Sequence, residues 1–165
     1  TRERWSADGR AAAAKAEGAG RRVWSGGVFG IGESWADRMD FFEDLGVSGV
    51  DSIPVNFLIP VPGTPLGDLP PLGAREALAI LVMLRLLLPG RNIIMAAGRT
   101  ECLGEFSSWI IPAGVYGLLV RDFLPQPGGR PDADLRLLAL AVWIRDQALF
   151  FGAACIPQCL RCIPV

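Results

Sequence analysis

The chain has 165 residues, of which 51% are hydrophobic and 20% are charged, and its formal net charge is −1. A chain of this length buries roughly two-thirds of the surface that it exposes when unfolded, so one domain with a substantial core is expected. The near-neutral charge gives no electrostatic indication of nucleic-acid binding. The absence of histidine excludes His general bases, His-dependent nucleophiles and zinc sites that need imidazole.

Two apolar stretches are each interrupted by charge before they reach the roughly 18 residues that a membrane span requires. Arg85 interrupts residues 78–88, and Arg145 with Asp146 interrupts residues 135–151. We therefore expect buried helices here, no membrane contact and a cytoplasmic protein. The chain begins without Met and without a charged-then-apolar signal layout, so we interpret it as a segment of something longer.

Helices and strands alternate along the sequence, which is the pattern of parallel β/α units. The second predicted helix begins with a capping box of Ser34 and Asp37, and Gly46 is predicted to end it. Strands are predicted at residues 22–29, 50–58, 92–96 and 115–120, and helices at residues 11–17, 34–46, 74–88, 104–111 and 132–151.

Four such units are half of an eightfold barrel, so the sequence predicts an α/β fold, a partial (β/α) TIM-type barrel. Half a barrel leaves edge strands unpaired and apolar faces uncovered, so we expect a homo-oligomer or a complementary half-barrel as partner. Functional loops of this fold follow the carboxyl ends of the strands. They are predicted at residues 25–33, 56–66, 97–101 and 121–129.

Three sequence blocks lie at these strand ends. Residues 25–38 read SGGVFGIGESWADR, a glycine-rich stretch that lets a backbone approach a ligand closely. Residues 51–66 read DSIPVNFLIPVPGTPL, and residues 97–99 read Ala-Gly-Arg. In this order and spacing the blocks resemble the C-terminal half of biotin synthases, which are radical S-adenosylmethionine (SAM) enzymes.

The resemblance covers residues 11–138, and it implies that residues 1–138 are the C-terminal half of a radical SAM barrel. Residues 139–165 are then a divergent helix and a cysteine-containing tail. The implied reaction is the insertion of sulfur into dethiobiotin, with S-adenosylmethionine, a [4Fe-4S] cluster and a [2Fe-2S] cluster as cofactors. A dethiobiotin-like small molecule is the implied substrate.

Two polar residues match binding positions of this family. Asn56 matches a strand-end asparagine that binds the ureido ring of dethiobiotin, and its amide offers both a donor and an acceptor to such a ring. Arg10 matches an arginine that pairs with the methionine carboxylate of S-adenosylmethionine. A solvated arginine on a helix is the alternative for Arg10.

Apolar and glycine positions complete the implied cofactor surface. Val28 and Ile59 match residues that lie against S-adenosylmethionine in the family. Gly26 and Gly27 match positions at which the missing side chain lets the cofactor approach.

The sequence departs from the family at two ligand positions of the sulfur-donating [2Fe-2S] cluster. Trp24 stands where the family has a cysteine, and Ile94 stands where it has an arginine. Neither side chain can bind iron, so sulfur insertion by the family's route is in doubt.

A cysteine trio near the chain end, Cys155, Cys159 and Cys162, has the C-x3-C-x2-C spacing that holds the [4Fe-4S] cluster in this superfamily. In the family that motif follows the first strand of the barrel, so here it is absent from its usual position. A cluster, an adventitious metal site and unpaired thiols are all compatible with the sequence.

Three functions remain open from the sequence. The chain is a biotin synthase-like protein that is incomplete or inactive alone, a non-catalytic half-barrel interaction module, or a radical SAM enzyme with another substrate. Whether it is an enzyme by itself is left open.

Overall fold

The computed structural model describes residues 22–119, together with the single positions Lys15, Gly18, Arg136 and Ala139. Within residues 22–119 four parallel strands form one sheet, in the same order as in the sequence. The strands are β1 (Gly27–Phe29), β2 (Ser52–Phe57), β3 (Asn92–Ala97) and β4 (Gly117–Leu118). The helices are α1 (Trp35–Val47), α2 (Ala74–Leu87) and α3 (Arg99–Leu103), which is followed by a 3-10 helix (Gly104–Ile110).

The predicted α/β fold is confirmed, because helices connect successive parallel strands as in consecutive units of a β/α barrel. The strands at the two ends of the sheet are shorter than the predicted ones. Trp24 joins the sheet only through an isolated bridge to Ser52. No helix within the described residues has the length and apolar character that a membrane span requires.

One face of the sheet packs against the helices and forms the core. Alternation along β2 places Ile53, Val55 and Phe57 on this face, and all three are almost completely buried. Each such side chain contributes roughly 1.5–3 kcal/mol when it leaves water. The helices contribute apolar side chains that are equally buried: Phe42 and Leu45 from α1, and Ile80, Leu81 and Leu84 from α2.

The opposite face of the sheet retains more contact with solvent. The side chains of Pro54 and Asn56 lie on this face and are only partly buried. Trp24 is 57% exposed and Val28 is 47% exposed. In a closed barrel this face is the interior, so the described residues leave an inner wall uncovered.

The ends of α1 show one confirmed prediction and one that is wrong. The Ser34 hydroxyl oxygen accepts the N–H of Asp37, and the Asp37 carboxylate accepts the N–H of Ser34, so the capping box is present. Gly46 does not end the helix, which continues to Val47. A Cβ at Gly46 would lie 3.2 Å from the side chain of Leu88, so this glycine is in tight contact with the residue that follows α2.

Two other predicted helices differ from the structure or lie largely outside it. In place of the predicted helix at residues 104–111 the structure has the 3-10 helix, which begins at the predicted residue, and this is preceded by α3, which begins at Arg99. The predicted helices at residues 11–17 and 132–151 fall on residues that are not described, except that Lys15, Gly18, Arg136 and Ala139 have helical backbone.

Gly98 is a point at which the fold can be tested. It has a φ of +79°, and a Cβ there would overlap the backbone carbonyl of Phe57 at the end of β2. We expect Gly98→Ala to lower the free energy of unfolding by more than about 3 kcal/mol. The positive φ would cost an alanine roughly 1–2 kcal/mol of backbone strain, and the steric overlap with the Phe57 carbonyl would add to that cost. The measurement is equilibrium denaturation in urea.

Gly63→Ala is the matched control, because Gly63 has a φ of +83° but open space around the Cβ position. It carries the backbone strain alone, so its expected cost is about 1–2 kcal/mol. Equal costs for the two substitutions would contradict the close approach of Gly98 to β2.

Candidate functional site

The carboxyl ends of β1, β2 and β3 bring two of the predicted binding residues together. In the sheet register Val28 lies beside Asn56, and Asn56 lies beside Ala97. The backbone N–H of Leu58 donates to the carbonyl of Phe29 at 2.8 Å and extends this contact past the end of β2. Ile59, partly buried, follows one residue later.

An irregularity in the sheet places Asn56. The register between β2 and β3 shifts between Val55 and Asn56, as in a β-bulge. Bulges re-aim side chains and are common beside active sites. The Asn56 amide nitrogen donates to the carbonyl of Gly27 at 3.4 Å, which is at the long end for a hydrogen bond. So weak a contact leaves the amide able to exchange this bond for one to a ligand.

The two glycines at the start of β1 have packing reasons of their own. A Cβ at Gly26 would overlap the carbonyl oxygen of Pro54 on β2, and a Cβ at Gly27 would lie 2.8 Å from the ring of Phe41 on α1. The missing side chains therefore allow β1 to lie close against its neighbours. Their predicted second role, the approach of a cofactor, stays a prediction.

An ionic network centred on the buried Arg38 lies beside the turn that follows β1, and the side chains of its partners Glu33 and Glu76 are 14% and 44% exposed. The Glu33 carboxylate accepts the N–H of Gly30 at 2.9 Å, the N–H of Ile31 at 2.8 Å and the Nε–H of Arg38 at 2.8 Å. The Arg38 side chain is 3% exposed, and its Nη1 donates to the Glu76 carboxylate at 2.7 Å. The Glu33–Arg38–Glu76 network therefore joins the β1 turn, α1 and the first turn of α2.

Sequence reasoning missed this network. Glu33 and Glu76 are 43 positions apart, and no local pattern links them. The available signal was Arg38, which lies in the first turn of α1, where a cation opposes the helix dipole. The opposition is worth only about 0.3–1 kcal/mol, so it favours a carboxylate partner without identifying one.

Burial and hydrogen bonding act in opposite directions on Glu33. Burial alone would raise the pKa of its carboxyl group, but the hydrogen bonds from the backbone N–H groups of the turn and the adjacent Arg38 guanidinium outweigh burial. The pKa of Glu33 is therefore lowered below its ordinary value. The group is an ionised carboxylate at neutral pH.

The predicted departures from cluster binding lie on the uncovered inner face. Trp24 bridges to Ser52, and Ile94 lies beside Pro54 on one side and Gly117 on the other. Indole and sec-butyl side chains offer no donor to iron, so this face does not fit a [2Fe-2S] cluster. Among the described residues no group of three or more Cys, Asp or Glu side chains could hold a metal ion.

Cys102 does not supply the missing ligand. It is buried in the core, and burial, together with the nearby Glu101 charge, raises the pKa of its thiol. Its place in the core beside the helices separates it from Trp24 and Ile94 on the inner face. Arg10, Cys155, Cys159 and Cys162 lie outside the described residues, so their predicted roles stay predictions.

Comparison with known proteins agrees with the fold and with the sequence blocks. The family model of the Biotin and Thiamin Synthesis associated domain matches residues 54–141. Biotin synthase from Syntrophotalea carbinolica is 44% identical over 123 residues, which are 74% of this chain and 38% of that protein. Biotin synthase from Thermodesulfovibrio yellowstonii is 46% identical over 119 residues, which are 72% of this chain and 37% of that protein.

A solved structure extends the comparison. The crystal structure of methylornithine synthase superposes with a TM-score of 0.58 at 25% sequence identity, and the match covers 79% of this chain and 39% of that one. The chain belongs to the Biotin and Thiamin Synthesis associated domain family, and the resemblance to biotin synthases is confirmed. It spans little more than a third of the length of these biotin synthases.

Glu33 makes the stability of the fold depend on pH in a defined direction. Because its pKa is lower in the folded state than in the unfolded state, its stabilisation is complete above the unfolded pKa and is lost as the pH falls through the folded pKa. We expect Glu33→Gln to lower the free energy of unfolding by about 2 kcal/mol at neutral pH, as for a hydrogen bond to a charged group. Urea denaturation between about pH 7 and about pH 3 should show the difference from wild type shrinking.

The control is Glu43→Gln, which neutralises an exposed carboxylate on α1, the helix that follows the Glu33 turn. This change should leave stability within about 0.5 kcal/mol of wild type at every pH tested. A Glu33→Gln penalty that grows in acid would contradict the network.

Proposed function

We propose that this chain forms the C-terminal ligand-binding wall of a biotin synthase-like radical SAM protein, whose reaction is sulfur insertion into dethiobiotin to form biotin. The observation that carries the proposal is the juxtaposition of Val28 and Asn56 at the carboxyl ends of neighbouring strands. These strands belong to sequence blocks that the chain shares with biotin synthases.

The side chains at this end divide into apolar and polar contributions. Val28 is 47% exposed and Ile59 is partly buried, so both can pack against the nucleoside part of S-adenosylmethionine. Asn56 can donate to and accept from a ureido ring, the polar group of a dethiobiotin-like substrate. This chain's own part in the reaction is thus to bind and orient the two small molecules.

Radical generation is not assigned to the described residues. The resemblance implies that radical generation comes from S-adenosylmethionine and a reduced [4Fe-4S] cluster. Residues 22–119 contain no set of ligands for such a cluster. Trp24 and Ile94 likewise offer no ligand for a sulfur-donating [2Fe-2S] cluster. We therefore propose that the chain does not turn over dethiobiotin by itself.

A second candidate function is a non-catalytic interaction module. Two observations favour an interaction module. The indole of Trp24 is exposed, and β1 is an edge strand of the described sheet. An apolar inner wall with an unpaired edge can pack against a complementary half-barrel or a second copy of the chain. In this reading Trp24 and Ile94 pack in the space that a cluster would otherwise take.

Binding of S-adenosylmethionine distinguishes the two functions. By calorimetry we expect weak, saturable binding to the wild-type chain. Val28→Glu should weaken it by about tenfold or more, which is about 1.4 kcal/mol, because it places a charge on the apolar surface. Binding that is unaffected by this change would contradict the placement of the ligand.

Val47→Glu is the matched control. Val47 is 81% exposed at the carboxyl end of α1, which is the opposite end of the β/α unit from the strand ends. The same chemical change there should alter the affinity by less than about twofold. No saturable heat with the wild-type chain would favour the interaction module.

A further inference from the structure

The inner wall of the sheet, which is the face opposite the core, consists of uncharged residues. Side chains alternate along a strand, so the inner positions lie between the buried core positions. The inner positions on or beside the described strands are all uncharged: Trp24, Gly26 and Val28 at β1, Ser52, Pro54 and Asn56 in β2, Asn92 and Ile94 in β3, and Gly117 in β4. A ligand on this wall therefore meets apolar surface and a few neutral polar groups.

The middle of this wall remains open. Pro54 pairs with Ile94 in the register of β2 and β3, and Ile94 pairs with Gly117 of β4. Both apolar side chains are only partly buried. A Cβ at Gly117 would meet no atom within 4 Å, so there is free space beside Ile94. Trp24, which is 57% exposed, lies toward the amino ends of the strands, and Trp24, Pro54 and Ile94 form an apolar strip.

The apolar strip is continuous with the amide of Asn56. Asn56 follows Pro54 on the same face of β2 at a separation of about 6.6 Å, and neighbouring strands lie about 4.8 Å apart. Ile94 is therefore roughly 8 Å from Asn56, a distance that one small molecule can span. A ligand whose polar group binds Asn56 can place an apolar group on Ile94 without leaving the wall.

The chemistry of the strip does not suit the group that the family resemblance implies there. Trp24 and Ile94 stand at two ligand positions of the sulfur-donating [2Fe-2S] cluster, and neither side chain offers a donor to iron. An apolar surface instead favours an apolar group, because each methylene that is fully buried raises affinity by about fourfold. The strip is thus suited to a hydrocarbon chain.

We infer that the apolar strip binds a hydrocarbon chain in the place of the sulfur-donating cluster, as part of a ligand whose ureido group binds Asn56. The ligand class is a cyclic urea larger than dethiobiotin, with an added alkyl group on the side of the ring that faces Ile94. Gly117 leaves the room for this group, and Ile94 supplies its contact surface. Binding of the ureido group rests on the proposed function, whereas the strip rests on strand register and burial.

The test compares two cyclic ethylene ureas, which carry a methyl or a butyl group on one ring carbon, by calorimetry on the whole chain. The butyl compound has three more methylenes, and the open wall covers them from one side. We expect the wild type to bind the butyl urea about eightfold more tightly than the methyl urea, which is about twofold for each half-buried methylene.

Gly117→Val separates free space from general apolar attraction. Valine suits a strand, and here it fills the space beside Ile94 while making the wall more apolar. The butyl advantage should fall to about twofold or less, with the affinity for the methyl urea unchanged. A butyl advantage that stays the same or grows in this variant would overturn the inference, because the chain would then lie elsewhere on the protein.

Ile94→Thr removes apolar surface but keeps a β-branched side chain in the strand. It should also reduce the butyl advantage to about twofold or less. Val82→Thr is the matched control, because Val82 is 39% exposed on α2, outside the sheet, and should keep the wild-type advantage. Urea denaturation of each variant verifies that the fold is retained.

The outcomes distinguish the inference from the proposed function. Equal binding of the two ureas by the wild type would overturn the inference and leave the proposed function standing. If only the butyl urea bound, and lost affinity in Gly117→Val, the ureido site would fail and the strip would stand. A wild type that binds neither urea and sediments as a dimer, with a monomeric Ile94→Thr variant, would assign the strip to a second copy of the chain and overturn the inference.

Discussion

Burial of β2 between its neighbours and under the helices is the constraint on which the rest of the structure depends. Ile53, Val55 and Phe57 are packed into the core from one face of this strand. Because side chains alternate, a shift of one residue would turn this set outward and the opposite set inward. The buried face therefore fixes Asn56 on the inner wall and sets it beside Val28 at the strand ends.

Much of the fold could be predicted because its signals are local. The second and third strands, the capping box at Ser34 and the stop after α2 follow from short patterns of apolar, capping and proline residues. The site positions Val28 and Asn56 came from sequence blocks rather than from chemistry visible in the residues. Their adjacency follows from parallel pairing, which the alternation of elements had indicated.

What sequence reasoning missed depends on contacts between distant segments. The ion pair between Arg38 and Glu76 joins α1 and α2, and no local sequence pattern indicates it. Gly46 looks like a helix stop, but it lies within α1 and close to the side chain of Leu88. Gly26 and Gly27 looked like ligand contacts alone, and their tight packing against β2 and α1 could not be read before the strand was placed.

Under the proposed function, this chain binds the small molecules and does not itself supply the radical chemistry. The strand ends present an apolar surface, an amide and an ionised carboxylate, which suit recognition of small molecules. The inner wall carries Trp24 and Ile94, which suit packing and cannot bind iron. The chain spans little more than a third of the length of the biotin synthases that it matches. In the proposed function, radical initiation therefore does not fall to the described residues.

The most direct measurement of this separation is the iron and sulfide content, with a visible spectrum, of the chain after anaerobic reconstitution. The variant with Cys155→Ala, Cys159→Ala and Cys162→Ala serves as the comparison. A binding wall without its own cluster predicts iron well below one cluster per chain and no difference between the two proteins. A stoichiometric cluster in the wild type that is lost in the variant would contradict it, because the chain would then carry its own site for radical initiation.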